Sequence, residues 1–69
     1  MEWDEALGFC ELLLEDIDDL PAKAAEFQES VRLKVEGMQD WIETNHHVTD
    51  KMVVALENIR GGVDKWLRR

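Results

Sequence analysis

The stretch WDEALGFCELLLEDIDDLP, residues 3–21, carries the first helical pattern of this 69-residue chain. Its apolar residues recur at alternating steps of four and three, which is the spacing of a helix packed on one side. Pro21 lacks the N–H that a helix interior needs, so the pattern predicts a first helix over about residues 2–18. The stripe consists of Trp3, Leu7, Cys10, Leu14 and Ile17, widened by Ala6, Leu13 and Leu20.

The same periodicity continues beyond Pro21 and predicts a second helix over about residues 21–44. Proline suits a first helical turn, and Asp19 is expected to cap the N-terminus. Asn45-His46-His47 should end the helix, because asparagine tolerates the left-handed conformation that closes many helices. The predicted inner face consists of Ala24, Phe27, Val31, Val35, Met38 and Ile42.

A third helix is predicted over about residues 50–67, with Thr49 as its cap and Asp50 in its first turn. Gly61-Gly62 interrupts this segment, and each glycine costs a helix roughly 1 kcal/mol relative to alanine. The apolar register nevertheless passes through the pair in phase, which favours one continuous helix over a short helix that ends at Arg60. The register consists of Met52, Leu56, Ile59, Val63 and Trp66.

Together these patterns predict an all-α protein, a three-helix bundle of up-down-up topology that forms a single domain over residues 1–69. An apolar content of 45% excludes an acidic disordered tail. The chain has no apolar run of 18 residues and no basic-apolar leader, so we expect neither a membrane span nor a signal peptide. A single cysteine fits a reducing compartment, and we expect a cytoplasmic protein.

The charge is strongly one-sided along the sequence. Residues 1–19 contain eight acids and no lysine or arginine, whereas residues 20–69 contain eight charges of each sign, so the formal net charge of −8 belongs to the first helix. Acids near a helix N-terminus are ordinary, but the run at the end of this helix opposes the helix dipole. Two interpretations remain open: a surface for a basic partner, or a solvated face that keeps a small protein in solution.

Several apolar residues fall outside the predicted core stripes when each helix is projected at 100° per residue. Leu12 lies among acids of the first helix, Leu33 lies opposite the inner face of the second, and Val53-Val54 lies off the stripe of the third. Repeated on every helix, these residues predict a second contact surface, either for a partner protein or for a homo-oligomer. The best candidate is an apolar anchor with an acidic rim, formed by Phe9, Leu12, Glu11, Glu15, Asp16, Asp18 and Asp19.

The sequence offers little chemistry. His46-His47 is the only imidazole pair and lacks metal-ligand spacing, and Cys10 lies in the centre of an apolar stripe among acids. Ser30 is the only serine and is not placed near a histidine. We therefore expect no catalytic residue, no metal, no cofactor and no enzymatic activity. An overall negative charge also argues against direct nucleic-acid binding.

Three motifs lie downstream of the first helix: Phe27-Gln28-Glu29-Ser30-Val31, Trp41-Ile42-Glu43, and Val48-Thr49-Asp50-Lys51 followed by Ala55-Leu56-Glu57-Asn58-Ile59. With them, the stretch from Phe27 to Leu67 resembles a helical-hairpin segment of small uncharacterised phage and bacterial proteins. It covers about 40 of the 69 residues and contains no catalytic motif to carry over. The resemblance implies a role like that of small acidic anti-restriction and anti-CRISPR proteins, which block nucleic-acid enzymes by partial DNA mimicry.

Two functions are therefore predicted. In the first, the protein is a phage-type inhibitor or adaptor whose acidic first helix docks on a basic, nucleic-acid-binding surface of a larger protein. In the second, it is a structural helical subunit that self-associates through Trp41, Leu33 and the Val53-Val54 edge, and its acids only solubilise it. Salt-sensitive binding to a basic protein would favour the first, and a stable homo-oligomer the second.

Overall fold

A computed structural model of the chain, which describes residues 1–68, consists of three α-helices and one 3₁₀ turn, with no strand in that range. Helix α1 spans Trp3–Asp18, the 3₁₀ turn spans Ala22–Ala24, α2 spans Ala25–Asn45 and α3 spans Asp50–Leu67. The prediction of an all-α three-helix bundle is confirmed. Among these described residues, no helix combines the length and the apolar character needed to cross a membrane.

The up-down-up topology is visible in contacts at both ends of the bundle. Trp3, at the start of α1, stacks on His46, just after α2, with ring centroids 4.4 Å apart. At the other end, Arg60 of α3 reaches the carboxylate of Asp16 near the end of α1. Helix α2 therefore runs antiparallel to α1, and α3 runs parallel to α1.

The predicted stripes form one apolar core, in which α1 packs closely along α2 and α3 packs less closely against both. Cys10 and Leu13 of α1, Val35 of α2 and Leu56 of α3 are all fully buried. Phe27, Met38, Met52 and Ile59 are partly buried and pack against this centre. Trp66 is the exception: it continues the α3 stripe in sequence, but 39% of its surface is exposed, because it lies at the end of the bundle.

The junction between α1 and α2 differs from the prediction in two ways. Asp19 does not cap α2; it closes α1, and its backbone N–H points to the carbonyl oxygens of Asp16 and Ile17. Pro21 has extended backbone and precedes the 3₁₀ turn instead of starting an α-helix. Burial explains this path, because Leu20 before the proline and Ala24 in the 3₁₀ turn are both buried in the core.

The end of α2 also differs in detail. The left-handed residue is His46, with φ 50° and ψ 43°, and not Asn45. Asn45 remains inside the helix, where its Nδ2 donates to the carbonyl oxygen of Trp41 at 2.8 Å. The stacking of the His46 ring on Trp3 supplies a contact that compensates for the less favoured backbone conformation.

Helix α3 begins and continues as predicted. The hydroxyl oxygen of Thr49 accepts a hydrogen bond from the N–H of Met52 at 3.1 Å, which is the expected N-cap contact. The helix passes through Gly61 and Gly62 without a break. The two glycines differ in surroundings: a Cβ atom at Gly61 would meet open space, whereas one at Gly62 would lie 3.0 Å from Cζ of Phe27.

We expect Gly61→Ala to raise the free energy of unfolding by roughly 0.5–1 kcal/mol, because alanine restricts the unfolded chain and favours the helix. Gly62→Ala should gain less, because the Phe27 ring must move to admit the methyl group. Urea unfolding followed by circular dichroism measures both variants. An equal or larger gain from Gly62→Ala would contradict the close approach of α2 to α3 at this point.

Candidate protein-binding surface

The outward side of α1 is an acidic face, which we define by Asp4, Glu5, Glu11, Leu12, Glu15, Asp18 and Asp19. All seven residues are exposed, since the opposite side of the helix is buried in the core. Glu5, Glu11, Glu15 and Asp19 form no ion pair with any residue from 1 to 68. Four carboxylates thus remain available on one helix side.

Within residues 1–68, Asp18 is the one member of the acidic face that forms an ion pair. Its Oδ1 atom lies 2.5 Å from a terminal nitrogen of Arg32, which projects from α2 across the seam between the helices. The two side chains are 67% and 40% exposed, so water screens this pair strongly. Asp18 therefore stays on the accessible surface and can still meet a partner.

Asp16 was also predicted at the interface, but it lies in a different environment. Its carboxylate is 2.7 Å from Arg60, which at the same time lies 2.5 Å from Asp64 of its own helix. The side chains of Asp16 and Arg60 are only 17% and 23% exposed. This charged cluster covers the seam between α1 and α3, so Asp16 contributes to helix packing more than to the acidic face.

Electrostatics reinforce this cluster. Burial alone would lower the pKa of the Arg60 guanidinium, but hydrogen bonds and charge interactions with Asp64 and Asp16 outweigh it and raise the pKa above its usual value. A basic group whose pKa is raised by folding stabilises the protein at pH values below its unfolded-state pKa. This contribution is lost as the pH rises through its folded-state pKa. Because both pKa values of Arg60 are strongly alkaline, its guanidinium stays charged under all ordinary conditions.

The two predicted apolar anchors differ in accessibility. Leu12 is 63% exposed and lies in the middle of the acidic face. Phe9 is half-buried and packs against the core, so only part of its ring reaches the surface. The structure therefore brings Leu12 together with Glu11, Glu15 and Asp19, and it leaves Phe9 at the border toward α3.

A second acidic surface, which the candidate set did not include, lies on the outward side of α2. We call it the α2 acidic row. Its residues are all exposed, and none of its acids forms an ion pair within the described range. The sequence already indicates this row, since its residues recur at steps of three and four and therefore lie on one side of a helix. The row consists of Glu26, Glu29, Leu33, Glu36 and Asp40.

Residues 1–68 contain no cluster of histidine, cysteine and carboxylate groups that could hold a metal ion, and their surface has no pocket. Cys10 is fully buried, and burial raises the pKa of its thiol, so it is mostly protonated near neutral pH. The distinctive features of this surface are its carboxylates and its exposed leucines.

Comparisons of the chain with protein-family models, with curated proteins and with solved structures gave no match.

The two arginines that bind α1 should contribute unequally to stability. Arg60→Met removes the Arg60 guanidinium from the poorly solvated Asp16 carboxylate and should lower the free energy of unfolding by about 1–3 kcal/mol. Arg32→Met, the matched control at an exposed pair, should cost less than about 1 kcal/mol. Urea unfolding of both variants checks the difference, and equal losses would show that the α1–α3 cluster has no special structural role.

Proposed function

We propose that this protein is a non-enzymatic binding module. Its acidic face docks on a basic, nucleic-acid-binding surface of a larger protein, where it acts as an inhibitor or adaptor by partial DNA mimicry, in the manner of anti-restriction and anti-CRISPR proteins. The observation that carries the proposal is the group of carboxylates at Glu5, Glu11, Glu15 and Asp19, none of which forms an ion pair with any residue from 1 to 68.

Folding gives no reason to place several of these acids where they are. Glu15 and Asp19 lie at the C-terminal end of α1, where the exposed carbonyl groups already carry partial negative charge. Asp16 and Asp18, which lie between them in sequence, are paired with Arg60 and Arg32, whereas Glu15 and Asp19 form no ion pair with any residue from 1 to 68. Such an arrangement opposes helix stability, so a role in binding a cationic partner accounts for it better than packing does.

The length of the face fits a short section of nucleic-acid backbone. From Asp4 to Asp19 the helix rises about 22 Å, at about 1.5 Å per residue. One strand of duplex DNA places roughly six phosphates along that distance, at about 3.4 Å per phosphate. The acidic face holds six carboxylates over the same length, so a groove lined with arginine and lysine for a phosphate backbone would meet a similar charge density.

Leu12 gives the acidic face an apolar centre, which a phosphate backbone does not have. An exposed leucine surrounded by carboxylates resembles the apolar core and polar rim of a protein interface. The acids would steer the approach to a basic surface, and Leu12 would add contact area after docking. Binding should therefore weaken as salt rises, because the Debye length falls from about 10 Å at 0.1 M to about 3 Å at 1 M.

A charge reversal on the face tests the proposal. Glu15→Lys should weaken capture of basic nucleic-acid-binding proteins from a host lysate by at least about tenfold, as expected when a charge pair worth about 1.4 kcal/mol is lost. The matched control is Glu57→Lys on α3, which changes an exposed and unpaired acid by the same charge. Baits are compared by quantitative mass spectrometry, and double-stranded DNA should displace the captured protein. Equal capture by the Glu15 and Glu57 variants would refute the proposal.

A pair of leucine variants separates the apolar anchor from general surface effects. Leu12 and Leu33 are exposed to nearly the same degree, 63% and 64%, but only Leu12 lies on the acidic face. Leu12→Ala should weaken binding of the captured partner, whereas Leu33→Ala should leave it unchanged. Isothermal titration with the purified partner measures both affinities.

Removal of unfavourable charge should stabilise the fold at the expense of binding. The double variant Glu15→Gln and Asp19→Asn relieves repulsion at the end of α1, and we expect its free energy of unfolding to rise by roughly 0.3–1 kcal/mol. The same variant should bind the partner more weakly. Thermal unfolding and titration performed on one sample give both quantities, and a less stable variant would indicate that these acids serve the fold itself.

A further inference from the structure

All four lysines of the chain lie on one side of the bundle. They flank the seam between α2 and α3, which is identified by the approach of Phe27 to Gly62 and by Lys23, whose ammonium lies 6.0 Å from the ring centre of Trp66. Helical spacing places two rows of side chains along this seam, one on α2 and one on α3, and neither row contains an acid. We call the surface formed by the two rows the lysine face. One row consists of Lys23, Phe27, Ser30, Lys34, Met38 and Trp41, and the other consists of Lys51, Ala55, Asn58, Gly62, Lys65 and Trp66.

The lysines lack carboxylate partners among residues 1–68, in a chain that has twice as many acids as bases. None of them forms an ion pair with a residue from 1 to 68. Lys34, Lys51 and Lys65 do not even have an acid three or four positions away, which is where a helix offers ion-pair partners. By contrast, Arg32 and Arg60 are both paired with α1.

The lysine face also exposes aromatic surface. Trp41 and Trp66 lie toward opposite ends of it, and each is 39% exposed. The middle is formed by small side chains such as Ser30 and Ala55, which leave room for an incoming side chain. A binding surface of this kind fits an elongated partner that presents carboxylates around an apolar residue.

We propose that the lysine face binds a second copy of this chain through the α2 acidic row of that copy. The row from Glu26 to Asp40 and the α3 side of the lysine face from Lys51 to Lys65 both span 14 residue steps, or about 21 Å at about 1.5 Å per residue. Leu33 lies at the centre of the row and would contact the small residues in the middle of the lysine face. The inference uses residues outside the acidic face and is independent of the function proposed above.

The arrangement can close on itself as a dimer. The acidic row and the lysine face are neighbours around the axis of α2. A two-fold axis parallel to α2 therefore puts the row of each copy against the lysine face of the other. Both charge sets are then paired at once, and no open end is left for filament growth.

This reciprocity distinguishes a second copy from a nucleic acid as the occupant. A polyanion on the lysine face would lie beside the α2 acidic row, which would repel it along its whole length. A second copy instead turns its own lysines toward that row. The charge pattern therefore favours self-association, although the surplus of lysine and tryptophan alone would fit either occupant.

A charge-swap experiment tests the dimer. The first variant carries Lys34→Glu and Lys51→Glu, and the second carries Glu29→Lys and Glu36→Lys. The wild-type chain should dimerise reversibly in sedimentation equilibrium at low salt and dissociate in about 1 M NaCl, where the Debye length is about 3 Å. Each variant alone should be monomeric, and an equimolar mixture should restore a dimer, because both interfaces then join opposite charges.

Circular dichroism of each variant verifies that the helices persist. A matched control with Glu11→Lys and Glu15→Lys alters the acidic face and should dimerise like the wild type while it loses the partner of the proposed function. A monomeric wild-type chain at submillimolar concentration, or a mixture of swapped variants that stays monomeric, would overturn the dimer. So would tight binding of a labelled single-stranded oligonucleotide to the monomer that disappears with Lys34→Glu and Lys51→Glu.

Discussion

Burial of one stripe of α1 is the constraint on which the rest of the molecule depends. Ala6, Cys10, Leu13 and Ile17 are all fully buried, and every other helix packs against them. A chain of this size can bury only one side of each helix, so the remaining sides must face water or a partner. Most acids of α1 consequently lie on the opposite side, where they form no ion pair with a lysine of residues 1–68, whereas Asp16 lies at the seam with α3.

The arginines and lysines within the bundle occupy different places, which follows from this geometry. Arg32 and Arg60 reach α1 from the two neighbouring helices and pair with carboxylates across the two seams, since their planar guanidinium groups bind carboxylates well. The lysines lie away from α1 and keep their hydration. The result is a bundle with acidic surfaces on α1 and α2 and a basic surface between α2 and α3, although its net charge is strongly negative.

Much of this structure follows from the sequence. The steps of three and four gave the three helices, and the unbroken register of α3 correctly outweighed Gly61-Gly62, because tertiary burial of Leu56 and Val63 exceeds the helix cost of two glycines. The errors fall at the junctions. Asp19 and Asn45 have suitable propensities for caps, but the burial of Leu20 and the stacking of His46 on Trp3 decide which residue takes the position.

The sequence predicts which acids belong to the candidate surface, but it does not predict which of them form ion pairs with other helices. Counting charges along the chain locates the surplus acids on α1, but Asp16 and Glu15 are adjacent in sequence and differ only in which way the helix turns them. One of them faces Arg60, 44 positions away, and the other faces water. Long-range ion pairs of this kind depend on how the helices pack, which helical periodicity alone does not specify.

Solubility alone does not require exposed carboxylates on α1 and lysines gathered on another side of the bundle, because a solvated surface works as well with mixed charges. Segregation of charge has a cost, since like charges repel within each surface, and the acids at the end of α1 add to that cost through the helix dipole. Mixed charges would have given a more stable chain with the same core. The separation is what the two proposed surfaces require, the acidic face for a basic partner and the lysine face for a second copy, and these two surfaces share no residue.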